Sequence, residues 1–166
     1  MTTERWTPHV TVAAVIEDNG RFLVVEEATA AGLMLNNPAG HLEAGETPEQ
    51  GTMREVLEET ARVFTPTHLI GAYLARSIDA ERCVDVTYLR FAFGGRVSDP
   101  LPGRPLDTGI VRTLWLTTDE LRACRERHRS PLLLRCIEDH LAGRCLPLDA
   151  IQADASVFQT AGTIRP

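Results

Sequence analysis

No stretch of the sequence is apolar for long enough to span a bilayer, and the opening MTTERWTPHV has no basic start followed by an apolar run. A soluble, cytoplasmic protein with no membrane contact is therefore expected. The four cysteines, Cys83, Cys124, Cys136 and Cys145, form neither a CxxC pair nor a Cys/His cluster with zinc-like intervals. Reduced structural thiols are expected in place of a disulfide framework or a zinc site. Basic residues are outnumbered, 17 Lys and Arg against 23 Asp and Glu, and a net charge of -6 excludes affinity built on contacts to a nucleic-acid backbone. A small polyanionic ligand would meet the same repulsion, and a bound cation is the obvious remedy. Internal repeats, low-complexity tracts and linkers are also missing. With 43% apolar residues in a chain of 166, one core can form without staples. Residues 1–150 are expected to form a single domain, and 151–166 a tail that is partly disordered.

What is present is a mixed series of short elements. His9 to Glu17 alternates and is rich in Val and Ile, Asp18-Asn19-Gly20 supplies a turn, and Arg21 to Glu27 resumes, which predicts a hairpin. Ala28 to Asn37 has no clear period and is expected to be irregular, ending at Pro38-Ala39-Gly40 and a loop with His41, Glu43, Gly45 and Glu46. Thr47 as N-cap, Pro48 at the first helical position and Gln50 completing a capping box announce a helix to about Arg62. Met53, Val56, Leu57 and Thr60 recur at helical spacing and predict its buried stripe; Gly51 inside it implies close packing against a neighbour. His68 to Arg76, Val84 to Phe93 and Ile110 to Leu116 read as strands, with a Pro- and Gly-rich loop from Ser98 to Asp107. Thr117 or Thr118 caps a short helix through Arg125, and Ser130-Pro131 opens another to about Ala142, closed by Gly143. From Leu146 no period is clear. This order implies a mixed sheet flanked by helices.

The long helix carries the chemistry. Glu55, Glu58 and Glu59 lie three and four positions apart and share one face within a turn. Two unit charges at about 4 Å repel by roughly 1 kcal/mol in water and about 4 kcal/mol at a protein surface. The cluster also sits near the helix C-terminus, where the macrodipole disfavours anions. Arg54 and Arg62 can relieve Glu58, but they leave Glu55 facing Glu59. A solvated acidic face is one reading. A hard divalent cation bridging carboxylates to substrate phosphates is the other, since Mg²⁺ takes oxygen ligands and keeps several waters.

Gly40, five residues, Glu46, seven residues, then Arg54-Glu55-Val56-Leu57-Glu58-Glu59 resembles the Nudix box. The segments PHVTVAAVIEDNGRFLVVEE, NNPAGHLEAGET and RSPLLLRCIEDHLAGRCLPL extend the resemblance to the NudJ phosphatase branch of that family, across residues 8 to 150. The resemblance implies an α/β/α Nudix sandwich with a mixed sheet. It implies metal ligation by Glu55, Glu58 and Glu59 with the backbone carbonyl of Ala39, and a Glu46–Arg54 pair that orients the cluster. Mg²⁺ is the implied cofactor, with Mn²⁺ as the alternative. The implied activity is hydrolysis of nucleoside tri- and diphosphates and of pyrophosphates such as hydroxymethylpyrimidine diphosphate, releasing orthophosphate. Where the family has Gly and an apolar residue after the box, this chain has Ala61-Arg62; Ala resists a left-handed cap, so the helix is expected to run on by part of a turn. Near Trp115 stand Val111 and Arg112 where many relatives carry a further carboxylate, and Asp107 is the nearest acid.

Glu55 is the first choice as proton acceptor. His9, Glu27, His41 and Arg129 are candidate substrate contacts, each against a structural alternative: a hydrogen-bonded histidine, a solvated strand-end charge, a loop residue, a surface cation before a helix start. Glu26 is treated like Glu27, as a solvated strand-end charge by default. Tyr73, Tyr88, Phe91 and Phe93 are candidates for stacking on a base, with core packing as the alternative. The partner is expected to be a small nucleotide or pyrophosphate, the chain a monomer or homodimer. Two other functions stay open: cleavage of a nucleoside diphosphate joined to another group, and a nucleotide-sensing module without catalysis.

Overall fold

Alternation in the strands sorts the apolar residues into two cores, one on each face of a sheet. The computed structural model describes residues 5–79 and 83–159. Strand β1 (His9–Asp18) turns through Asn19 and Gly20, both at positive φ as a two-residue hairpin turn requires, into β2 (Arg21–Thr29). Strand β3 (Gly32–Asn36) follows, then β4 (Ala39–His41), β5 (Phe64–Asp79), β6 (Val84–Val97) and β7 (Ile110–Thr117). The sheet order is β3-β2-β1-β6-β5, with β4 on β1 and β7 on β2; β1 and β6 run parallel and the other pairs antiparallel.

Val15, Phe22, Val24, Ile70 and Ala92 point to one face, where they meet Leu121 of helix α2 (Thr118–Ala123) and Leu133 and Ile137 of helix α3 (Leu132–Leu141). Their neighbours Ala14, Ile16, Leu23, Leu69 and Phe93 point to the other, against Val56 of helix α1 (Pro48–Thr60). Burial on both faces is why Val12 to Ile16 is apolar without interruption. Helices on either side of a mixed sheet give the expected α/β/α layering, and no helix among the described residues is long and apolar enough to cross a membrane.

Several local expectations need correction. The segment expected to be irregular, Ala28 to Asn37, is a second hairpin. Thr29 Oγ1 accepts from Ala31 N at 3.1 Å and donates to Gly32 O at 2.9 Å, and Gly32 takes φ +107. The turn is made by a hydroxyl and one glycine without an Asn-Gly or Asp-Gly pair, which hid it. Strands β5 and β6 run past their expected ends, with bulges in β5 at Pro66/His68 and Leu69/Gly71 on the edge of the sheet, where a proline is tolerated. Helix α1 has the expected capping box, Thr47 with Gln50, but stops at Thr60. Ala61 adopts the left-handed conformation after all, φ 54 and ψ 28, its N–H donating to Leu57 O at 3.1 Å while its carbonyl accepts from Leu101 N at 2.7 Å. The Ser98–Asp107 loop thus pins a cap that Ala disfavours. The buried stripe also differs: Thr52, Glu55, Val56, Glu59 and Thr60 are inside, while Met53 is exposed.

Past α3 the chain returns to the sheet. Leu146 exchanges backbone hydrogen bonds with Leu69 at 2.8 and 2.9 Å, and Leu148 and Ile151 pack on the second core. The disorder expected for the tail falls in part on residues 160–166, which lie outside the described residues.

Candidate active site

Strands β1 and β2 pair only beside their turn, at Glu17/Phe22 and Asp18/Arg21. Beyond it β1 joins β4 and β6 while β2 joins β3 and β7, so the sheet opens into two halves. A cleft of about 940 Å³ lies at this opening, bordered by α1, β4, the ends of β2 and β3, and the start of α3.

Glu55, Glu58, Glu59 and Arg54 of α1 all face the cleft. Arg54 is the organising cation. Its Nε and Nη2 donate to both oxygens of Glu46 at 3.0 and 2.7 Å, Nη2 also donates to His41 O at 2.9 Å, and Nη1 donates to Glu55 Oε1 at 2.7 Å and Glu58 Oε2 at 3.1 Å. Glu46 also accepts from Glu43 N at 2.8 Å. Gly51 makes room for this: a Cβ there would come within 2.7 Å of Glu46 Oε1 and 3.2 Å of Leu42. The expected close packing at Gly51 is therefore against the carboxylate that holds Arg54. Gly40 does the same for Glu55, since any side chain at 40 would collide with that carboxylate.

The Arg54 contacts hold the Glu46 carboxyl below its ordinary range, while burial pushes that of Glu55 upward. Glu59 is the most strained electrostatically. It is 7% exposed and makes no ion pair among the described residues; Ala39 N donates to its Oε2 at 2.8 Å. Burial, with like charge on Glu27, Glu55 and Asp107, pushes its pKa up to about 8. Arg62, expected to relieve Glu58, instead donates to Ser98 O at 2.8 Å and lies over the Trp115 ring; Arg54 relieves Glu55 as well as Glu58, so of the three it is Glu59 that has no ion pair among the described residues.

Among the described residues no three carboxylate, His or Cys groups stand close enough to hold a metal ion unaided, because Arg54 lies between Glu55 and Glu58 and Ala39 holds Glu59. The donor set nonetheless fits a hydrated hard cation. Such an ion binds through one or two carboxylates and completes its shell with water and phosphate oxygens. Two crowded, buried carboxylates with raised proton affinity beside a wall kept clear by Gly40 offer what it needs.

The other candidates divide. His41, Glu27 and Arg129 line the cleft, Arg129 Nη1 pairing with Glu27 Oε2 at 3.0 Å. His9 is not among the lining residues but touches two that are, Nδ1 to Nε2 of His41 at 3.4 Å and its ring edge-on against Tyr88. Of the four aromatic candidates only Tyr88 faces the cleft. Tyr73 and Phe93 are core, with Tyr73 Oη donating to Asp139 at 3.0 Å, and Phe91 packs against the second core. Glu26 is no solvated strand end: it is 2% exposed and paired with Arg112 and Arg127, whose hydrogen bonds hold its pKa down. The four cysteines are free, and burial pushes the Cys136 thiol up to about 12, which makes it inert.

Asp107 also faces the cleft, its N–H donating to Glu58 O at 2.9 Å. Three cleft residues were not anticipated: Thr11, Asn36 and Arg90, each buried with side-chain polar atoms that have no partner among the described residues. For Arg90 a signal existed, a charge between Leu89 and Phe91 in an otherwise apolar run of a strand.

A NUDIX domain family model matches residues 7–136. The chain is 36% identical over 144 residues to the phosphatase NudJ of Escherichia coli strain K12, covering 87% of this chain and 90% of that protein. A solved NUDIX hydrolase from Nitrosomonas europaea is similar with 49% identity and a TM-score of 0.81, over 89% of this chain and 98% of that one. A UDP-X diphosphatase, 18% identical with a TM-score of 0.67 over 88% of this chain and 68% of its own, shares the fold alone.

Proposed function

This chain belongs to the NUDIX hydrolase family, enzymes acting on phosphoric anhydrides, and from that premise we propose that it hydrolyses nucleoside di- and triphosphates or related pyrophosphates such as hydroxymethylpyrimidine diphosphate, releasing orthophosphate with the help of Mg²⁺ or Mn²⁺. One observation carries the reading: three carboxylates from a single helical turn border one cleft, and the deepest of them has no ion pair among the described residues.

In this reading Glu55, Glu58 and Glu59, with the carbonyl of Ala39, hold the cation, which when bound screens phosphate charge and lowers the pKa of an attacking water. Arg54, locked by Glu46, fixes the rotamers of Glu55 and Glu58. Glu55 accepts the proton of the attacking water: its Oε1 is held by Arg54, its Oε2 has no protein partner among the described residues, and burial raises its affinity for a proton. His9, His41 and Tyr88 form an aromatic wall for the base or pyrimidine ring, and Arg129, steadied by Glu27, adds a cation to the cleft lining. Its place of work in this reading is the cytoplasm, as monomer or homodimer; the free thiols suit a reducing compartment.

The test is a substrate panel with Mg²⁺, products assigned by phosphorus NMR. Orthophosphate as the first product supports the proposal. A nucleoside monophosphate with a phosphorylated second group points to cleavage of a linked nucleoside diphosphate, and binding without turnover to a sensing module. Glu58→Gln and Glu59→Gln should each lower turnover by orders of magnitude at saturating Mg²⁺; near-normal rates in both remove them from the site.

A further inference from the structure

Strand β6 carries one charged side chain into the interior. Arg90 stands opposite Thr11 in the β1–β6 register, is 7% exposed, and makes no side-chain hydrogen bond among the described residues; its Nε and Nη1 are both buried without a partner. The groups that act on it from packed elements are Cys136 of α3, Glu27 of β2, Glu59 of α1 and Arg129 ahead of α3. Glu27 and Glu59 attract it, but none of the four is ion-paired or hydrogen-bonded to it among the described residues. Burial keeps Cys136 protonated, Glu27 is engaged by Arg129 at 3.0 Å, and Glu59 is turned onto Ala39 N at 2.8 Å. A buried guanidinium left like this is destabilising, and proteins keep such a group where a ligand is meant to complete it.

What surrounds Arg90 describes that ligand. Thr11 Oγ1, a hydroxyl able to donate, is likewise buried without a partner among the described residues, and both residues line the same cleft as the carboxylates of α1. Guanidinium donors suit phosphate oxygens in geometry as well as charge. A phosphate at the end of a chain carries close to two negative charges, a phosphate joined on both sides carries one, and a base carries none. A cation with no ion pair among the described residues, in a poorly solvated pocket, separates these classes by charge.

We propose that Arg90, with Thr11 beside it, is a receptor for the terminal phosphate of the substrate, facing the carboxylate helix across the cleft, and so selects compounds that end in phosphate over those in which the diphosphate is capped. The ligand's identity rests on the hydrolase reading above; the receptor itself does not.

Calorimetry on the metal-free protein in EDTA, at low ionic strength, tests it with pyrophosphate and with a methyl-capped pyrophosphate as probes. Wild type should bind pyrophosphate at least tenfold more tightly than the capped form; equal affinity overturns the proposal without any variant being needed. Arg90→Met should weaken pyrophosphate binding ten- to a hundredfold and leave the melting temperature of the ligand-free protein unchanged or higher, because an unpaired buried charge has gone. Wild-type affinity in Arg90→Met, or a ligand-free melting temperature lowered by several degrees in both Arg90→Met and Arg90→Gln, makes the guanidinium structural and overturns it. Pyrophosphate bound through Arg90 by a protein that turns over nothing with Mg²⁺ supports the receptor and removes the hydrolase reading. Turnover in a protein whose Arg90→Met variant binds pyrophosphate like wild type does the reverse.

Discussion

Replacing Glu59 with Gln is expected to make the metal-free protein more stable while it destroys activity. Burial and the like charges of Glu27, Glu55 and Asp107 raise the Glu59 pKa to about 8, against 4.5 for an unperturbed glutamate. With the folded pKa above the unfolded one, the native state holds the proton more tightly. The stability this confers is fully present below 4.5 and is lost as pH rises through about 8. At about 1.4 kcal/mol per pKa unit the loss between pH 5 and pH 9 is about 4 kcal/mol, and relaxation with water entry lowers the expectation to about 2–4 kcal/mol. Gln is neutral throughout, and its Oε1 can still accept from Ala39 N. Urea unfolding in EDTA should therefore show the variant close to wild type near pH 5 and more stable by about 2–4 kcal/mol near pH 9. Comparing the two proteins at each pH cancels the other titrations, including His68 and His128, whose burial-lowered pKa values act in the opposite sense. A difference that does not change with pH, or a variant less stable near pH 9, would refute the claim that this carboxylate is held against its preference for water, and with it the main argument for a cation.

The same linkage makes cation affinity rise with pH up to about 8, since Glu59 must lose its proton to bind; calorimetry in two buffers of different ionisation enthalpy should detect proton release that fades above that pH. Arg54→Ala strands Glu46, Glu55 and Glu58 together and should cost about 2–4 kcal/mol in denaturant unfolding, with a weaker apparent Mg²⁺ affinity in activity titrations. Ala61→Gly relieves the left-handed cap and should raise the melting temperature by roughly 2–4 °C with unchanged kcat. Gly40→Ala drives a methyl group into the Glu55 carboxylate; circular dichroism should show a folded protein while turnover falls at least tenfold by direct assay.

The features legible in the sequence are the ones whose causes are local. The Thr47/Gln50 box, the Asn19-Gly20 turn and the clustering of Glu55, Glu58 and Glu59 depend on spacings of a few residues, and the structure has them where the spacing put them. The Glu46–Arg54 pair spans a loop and a helix, and only the family resemblance pointed to it. Arg62 was misplaced because helical spacing gives reach and not preference: the Ser98 carbonyl and the Trp115 ring come from far along the chain. Glu26 looked like a frayed strand end because Arg112 and Arg127, which bury it, belong to β7 and the turn before α3. Arg90 escaped notice for the same reason, since its unsatisfied state is a property of three elements meeting. Ala61 contradicts its intrinsic preference because Leu101 holds its carbonyl.

The parallel pairing of β1 with β6 joins His9 to Tyr88, so that Thr11 meets Arg90 across roughly eighty residues of intervening chain. Everything between them, the carboxylate helix included, must be looped out before that contact can form, and loop closure of this length is paid for ahead of any reward. The acidic half of the pocket can thus take shape early from local contacts, while its cationic half arrives only when the last central strand inserts. Refolding followed by hydrogen exchange should find amides of α1 protected before those of β6, and phosphate recognition appearing with the final kinetic phase.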